Sequence, residues 1–284
     1  MNYSYYPGCS LHSTGLEYGL STEAVFQHLG LELKELLDWN CCGASSAHIF
    51  DHILALALPA RTLALAQPLG HDLVTPCAAC YNRLKGADHA MRTDPAIRSE
   101  MEALLDFRYT GTLAVRPVLA VLYEDIGVER IAAQVRNPLA GLKVVTYYGC
   151  LLVRPPEIAQ FDNPDDPQVM AGLLRAVGAE VMPWSHATDC CGGSLSLSRS
   201  DVVQQLVGKL AQRASEAGAD AIVTACPLCQ VNLEMRQTTA PKVPTFYFTE
   251  LLGLAFGLPE AKKWWKKHLI DPRPVLAKVE RIAA

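Results

Sequence analysis

No apolar run in this 284-residue chain is long enough to cross a membrane; the nearest, Ile53 to Gly70, is broken by Pro59, Arg61 and Pro68. The opening residues, Met1-Asn2-Tyr3-Ser4-Tyr5-Tyr6-Pro7-Gly8, hold no basic segment followed by an apolar one. No export signal is therefore expected, and the expected location is cytoplasmic. No Gly-x-Gly-x-x-Gly follows a strand-like run and no P-loop is present, which removes the commonest nucleotide cradles. Excess positive charge is missing too: the net charge is −4, so a nucleic-acid partner is not expected. What remains is an ordinary globular composition, 50% hydrophobic and 19% charged, with a length suited to two domains. The one dense charge cluster, Lys262-Lys263-Trp264-Trp265-Lys266-Lys267, reads as a surface helix whose tryptophans pack on the body. A docking face for a partner subunit and, for so short a segment less readily, contact with a membrane surface are the other readings.

Nor is there a stray cysteine. All ten fall into two copies of one pattern: Cys9, Cys41-Cys42-Gly43 and Cys77-x-x-Cys80, then Cys150, Cys190-Cys191-Gly192 and Cys226-x-x-Cys229. The step from the second vicinal cysteine to the Cys-x-x-Cys is 35 positions in both copies, while the leading step is 32 and then 40. The chain is an internal duplication, each half with its own thiol cluster. Three chemistries compete for such a set. Disulfides suit an even count, but not a cytoplasmic chain long enough to bury a core without staples. Structural zinc wants four ligands, typically two chelating pairs, whereas each copy has one chelating pair, one vicinal pair and one remote cysteine. Iron–sulfur clusters take thiolates, four for a cubane, and a fifth recurs in both copies. A surplus found twice points to a need.

The halves share more than cysteines. Asn2 to Tyr6 and Leu142 to Tyr148 are β-rich and run into Gly-Cys. A helix follows each. In the second half Asp166 is the expected cap, Pro167 the first turn, Met170, Leu173, Leu174 and Val177 the apolar stripe, and Gly178 the stop. Val25, Phe26, Leu29 and Gly30 answer in the first half. Strands leading to the Cys-Cys-Gly are expected next, then helical stretches (Ala47 to Ala66, Asp201 to Ala217). Short strands, Asp72 to Thr75 and Ala221 to Ala225, then carry Cys-x-x-Cys onto further helices. Val118 to Leu122 and Thr245 to Phe248 read as last strands, with a helix from Leu251 to Phe256. Alternating strands and helices predict an α/β fold: two duplicated α/β domains with parallel sheets, related by a pseudo-two-fold. Ligands of such sheets gather outside the strand carboxyl ends, where the cysteines lie. The expected divisions are 1–140, 141–258 and a helical tail, 259–284.

The duplicated Cys, Cys-Cys-Gly, Cys-x-x-Cys pattern resembles the CCG cysteine-rich family, and within it the catalytic B subunit of heterodisulfide reductase. Supporting segments are Tyr6-Pro7-Gly8-Cys9, Asp38-Trp39-Asn40-Cys41-Cys42-Gly43-Ala44, Tyr147-Tyr148-Gly149-Cys150 and Thr224-Ala225-Cys226-Pro227-Leu228-Cys229. The run Ser10 to Tyr18 is similar to bacterial and sulfur-metabolising members. The resemblance implies two noncubane 4Fe-4S clusters. Cys9, Cys41, Cys42, Cys77 and Cys80 would hold one, and Cys150, Cys190, Cys191, Cys226 and Cys229 the other. It implies an oxidoreductase acting on a disulfide held between the clusters. It also implies a ferredoxin-like C subunit and a flavin-containing A subunit as partners, since the chain has no electron source of its own. His12 and His186, near Cys9 and Cys190, are candidate proton donors, and Arg154, after Cys150, a candidate for an anionic substrate tail. A subunit that only relays electrons is the alternative function.

Overall fold

The computed structural model describes residues 1–279 apart from Ser45 and Thr239, so positions 280–284 of the expected tail lie outside the described residues. Two four-stranded, all-parallel sheets are present. The first holds β1 (Asn2–Tyr5), β2 (Glu32–Glu35), β3 (Leu73–Thr75) and β4 (Val115–Pro117), in the order β2-β1-β3-β4. The second holds β5 (Lys143–Tyr147), β6 (Glu180–Val181), β7 (Ala221–Thr224) and β8 (Thr245–Tyr247), in the order β6-β5-β7-β8. The second order repeats the first, as the duplication requires. β3 and β7 are buried throughout, as parallel strands covered by helices on both faces must be. In each sheet the order reverses between two central strands, β1 and β3 or β5 and β7. Such a switch point leaves a crevice at the carboxyl ends. Cys9 and Cys77 follow the first pair of strands, and Cys150 and Cys226 the second.

The halves pack reciprocally. Helix Leu16–His28, which follows β1, lies on helix Phe248–Ala255, which follows β8. Helix Val169–Ala176, which follows β5, lies on the helical turn after β4, with the Tyr123 ring against Gly172. These are equivalent contacts about a pseudo-two-fold axis.

Four local expectations need correction. Val118 to Leu122 is not a strand: β4 ends at Pro117 and the chain turns helical from Val118 to Ile126. All five of those residues are buried, and a continuous apolar run does not distinguish a buried helix from a buried strand. Asp166 does not cap its helix. The helix starts at Val169, and the Asp162 carboxylate accepts from the Gln168 and Val169 amides at 3.1 and 2.7 Å. The stretch Ala47 to Ala66 is two helices, because extended Asp51 interrupts it and caps the second through the Leu54 amide at 2.7 Å. The last strand stops at Tyr247, so its helix begins at Phe248 rather than Leu251. In the basic cluster, Trp264 is buried against Gly253 while Lys262, Lys263, Lys266 and Lys267 stay exposed.

Candidate functional site

Each five-cysteine set is assembled by three kinds of backbone. The first cysteine follows a central strand through a tight glycine turn. The vicinal pair rides a loop beyond β2 or β6, several residues after the strand has ended. The Cys-x-x-Cys opens a helix: Cys77 is the N-cap of helix Ala78–Thr93 and Cys226 that of helix Pro227–Met235. The glycine turn is dictated by the sulfur on its other side. Gly8 has φ +75° and a Cβ there would stand 2.7 Å from Cys80 Sγ; Gly149 has φ +65° and its Cβ would stand 2.9 Å from Cys229 Sγ. Only glycine fits that conformation and that gap.

Sulfur contacts close each set. Cys9 and Cys41 Sγ are 3.6 Å apart, Cys42 and Cys80 3.4 Å, and Cys191 and Cys229 3.6 Å. In both halves the last three thiols, Cys42, Cys77 and Cys80 or Cys191, Cys226 and Cys229, are buried. Cys9, Cys41 and Cys190 are exposed and Cys150 is half-buried, so each set has a dry floor and an open mouth. The second set reaches the boundary between the halves, where Ala78 and Ala79 directly follow Cys77. A cavity of about 50 Å³ against the second set is walled by Cys150, Cys190, Cys191 and Cys226 together with Ala78 and Ala79 of the first half. Conversely, Gly15 of the first half lies against Pro227 of the second, and Asn82 Nδ2 donates to the carbonyls of Leu151 and Arg154 at 3.1 and 2.9 Å.

Electrostatics limits how many of these thiols ionise unaided. Contacts with the Cys42 and Cys9 thiols push Cys41 down to about 2, and those contacts leave Cys42 at about 11 and raise Cys9 well above the usual thiol range. Cys190 falls to about 6, chiefly through the Cys150 thiol, with the Gly192 and Gly193 amides helping. Cys150 rises in turn through the same contact and through burial. Hydrogen bonds to neighbouring thiols raise Cys80 and Cys229, with burial adding to the rise. Within each set some thiols rise while others fall, because five thiolates cannot share so small a volume without a positive partner. Among the described residues no three His, Cys, Asp or Glu side chains surround a single-ion position. A donor set that gathers five thiols, demands positive charge and lacks a single-ion cage fits an iron–sulfur core better than zinc.

The three polar candidates lie around this set rather than in it. His12 stacks on Trp39 with ring centroids 5.5 Å apart, and its Nε2 is 3.6 Å from Glu35 Oε1. His186 Nδ1 pairs with Asp189 Oδ2 at 2.8 Å, one residue before Cys190. Each imidazole touches the segment leading to its vicinal pair, and neither is hydrogen-bonded to a cysteine sulfur. Arg154 Nη2 donates to Pro164 O at 3.1 Å and to Asp165 Oδ1 and Thr188 Oγ1 at 3.2 Å.

Sequence reasoning passed over two tyrosines. Tyr6 donates its phenol proton to Asn40 O at 2.8 Å, and Tyr147 donates to Asp189 O at 2.7 Å. Both stand three residues before the first cysteine of their half, and both acceptors stand directly before the vicinal pair. The repeat of Tyr-x-Gly-Cys in both halves was the available signal.

Fold and donor set together define a duplicated, thiol-rich α/β redox protein. The profile of the cysteine-rich domain, CCG, matches residues 3–85 and again 144–234. The chain belongs to this cysteine-rich family, and with it go iron–sulfur, oxidoreductase and electron-transfer roles. The B subunit of a ferredoxin/F420H2-dependent CoB-CoM heterodisulfide reductase from Methanosarcina acetivorans is 29% identical, the match covering 99% of this chain and 98% of that one. An 8-methylmenaquinol:fumarate reductase membrane anchor subunit from Wolinella succinogenes is 31% identical over 95% of this chain and 97% of its own length. A solved structure titled as a hypothetical protein from Helicobacter pylori shares the fold, with a TM-score of 0.74 at 12% identity, over 94% of this chain and 51% of that one. Among the described residues no helix is long and apolar enough to cross a membrane.

Proposed function

We propose that this chain is the catalytic, heterodisulfide-reductase-like subunit of a larger complex, cleaving or forming a disulfide, or a related sulfur bond, between its two halves. The carrying observation is that both five-thiol sets are complete and that the cavity against the second is walled in part by Ala78 and Ala79, next to Cys77 of the first. In this reading Cys9, Cys41, Cys42, Cys77 and Cys80 hold one noncubane 4Fe-4S cluster, and Cys150, Cys190, Cys191, Cys226 and Cys229 the other. When bound, the clusters supply one electron each to a substrate disulfide, whose cleavage takes two. The residues do the rest. The buried Cys-x-x-Cys floors exclude water, and the open mouths at Cys9, Cys41 and Cys190 admit substrate. His12 and His186, each beside a carboxylate, return protons to the departing thiolates. Segments 1–140 and 141–258 are the two cluster domains, and 259–284 a tail. Electrons are exchanged through a ferredoxin-like C subunit and a flavin-containing A subunit, as the relationship to the B subunit of heterodisulfide reductase suggests.

The test is turnover by the anaerobically purified chain with an artificial one-electron donor and a small disulfide. Activity is expected, and it is lost when Cys190 and Cys191 are both changed to Ser. Full activity in that variant would overturn the two-site reading. A second reading, an electron-relay subunit without a substrate site of its own, draws support from the similarity to the Wolinella fumarate reductase subunit. It predicts reducible clusters and no disulfide turnover.

A further inference from the structure

The equivalent phenols of Tyr6 and Tyr147 raise a question of design: why place a hydroxyl beside a thiol set and then turn its proton away from it? Each ring is fully buried. A Cβ on Gly8 would meet both the Cys80 sulfur and the Tyr6 ring, and one on Gly149 both the Cys229 sulfur and the Tyr147 ring, so each phenol lies beside the last thiol of its own half. Its one proton goes to a backbone carbonyl, at 2.8 Å for Asn40 and 2.7 Å for Asp189. A tryptophan braces each ring by its edge, Trp39 on Tyr6 at 5.4 Å and Trp184 on Tyr147 at 6.2 Å. The backbone of Tyr6 is itself anchored, its amide donating to Val74 O at 2.9 Å, while Tyr147 ends β5.

The vicinal pairs need such an anchor. β2 ends at Glu35, six positions before Cys41, and β6 ends at Val181, nine before Cys190. Backbone bonds to the central strands stop short of the cysteines: Leu36 N donates to Tyr5 O at 2.9 Å, and Ala187 O accepts from Tyr148 N and Gly149 N at 2.8 and 3.2 Å, three residues before Cys190. A carbonyl fixed one residue upstream sets the direction in which both following side chains leave the backbone. We infer that Tyr6 and Tyr147 are positioning residues: each phenol ties the vicinal-pair loop to the central strand of its sheet and thereby aims the two adjacent sulfurs at the cluster position. The inference rests on the proposed role of the cysteines as ligands only for what the sulfurs are aimed at. The aiming itself is a property of the protein alone.

The test uses the full chain with Tyr6→Phe and, separately, Tyr147→Phe, which delete one oxygen and leave ring packing in place. In the metal-free protein, alkylation of individual cysteines by iodoacetamide is followed by peptide mapping. Tyr6→Phe is expected to speed alkylation of Cys41 several-fold with Cys190 unchanged, and Tyr147→Phe to do the reverse. Tyr148→Phe is the control, since its hydroxyl accepts from the Met170 amide and holds no vicinal loop; it should change neither rate. In anaerobically loaded protein, each variant is expected to shift the midpoint potential of one of the two reducible signals only. Unchanged alkylation in both variants overturns the inference, and so does global unfolding of both, which would make the phenols stability residues. A chain that takes up no iron would defeat the proposed function and leave the alkylation result to decide this one.

Discussion

Tyr18 and Tyr247 stack face to face across the boundary between the halves, ring centroids 4.3 Å apart and planes 2° from parallel. Tyr18 donates its phenol proton to Pro76 O at 3.1 Å, directly before Cys77. Beside the pair, Ser21 and Thr249 hydroxyls meet at 2.6 Å. The pair therefore couples the packing of the halves to the placement of a cluster cysteine. Tyr247→Ala should destabilise the protein by roughly 3–5 kcal/mol, the cost of a large buried cavity. Tyr247→Phe should do the opposite. Its hydroxyl is buried with no partner among the described residues, so removing it should add about 1 kcal/mol. Denaturant unfolding of the metal-free variants measures both.

Gly8→Ala and Gly149→Ala should each empty one site. Both glycines have positive φ and both would drive a methyl group onto the last sulfur of their set. Iron and sulfide analysis of the wild-type chain should give about eight of each, from two four-iron clusters. Each alanine variant should keep roughly half of that. Stoichiometric zinc with little iron in the wild type would contradict the assignment.

Removing Cys41 and Cys42 together should likewise abolish one spectroscopic signal and spare the other, because the second set draws no thiol from the first vicinal pair. Loss of both signals would mean that the sets form one inseparable centre.

The buried His268 gives a pH signature. Its Nδ1 lies 3.1 Å from Glu234 Oε1 and its Nε2 3.0 Å from Glu250 Oε1, all three side chains being out of contact with solvent. Burial disfavours the imidazolium, but Glu250 and then Glu234 outweigh it and raise His268 to about 11. A folded-state value above the unfolded one means the stabilisation is complete below about 6.5 and drains away as pH rises towards 11. Unfolding free energy should therefore fall across that window. His268→Gln should flatten the fall and cost about 3–5 kcal/mol near neutrality, since two buried carboxylates would face each other unpaired. Equal slopes for variant and wild type would show that other groups set the profile.

Much of the site was legible because cysteine spacing survives folding unaltered. Ten positions in two copies of one pattern, sharing a 35-residue step, gave the duplication, the grouping and the position at strand ends. Strand–helix alternation gave the parallel sheets, and glycines such as Gly30 and Gly178 stopped helices where expected, with φ of +74° and +91°. Patterning failed where burial is uniform. Val118 to Leu122 is apolar on every face, so no period separates helix from strand. It failed also where a distant side chain does the work of a local one, as Asp162 does at the helix that Asp166 was expected to cap. Arg154 illustrates a third limit. Its position after Cys150 suggested an anionic substrate, and chain order gave no sign that Pro164, Asp165 and Thr188 would gather at its guanidinium.

The reciprocal walls have a consequence for biogenesis. Ala78 and Ala79 border the second thiol set, Asn82 fastens the loop after Cys150, and Gly15 rests on Pro227. These walls come from the first half, so the second half on its own would leave its thiol set open on that side. Severing the gene between the halves should cost the carboxyl-terminal product that enclosure, and co-expressing the two pieces should restore it.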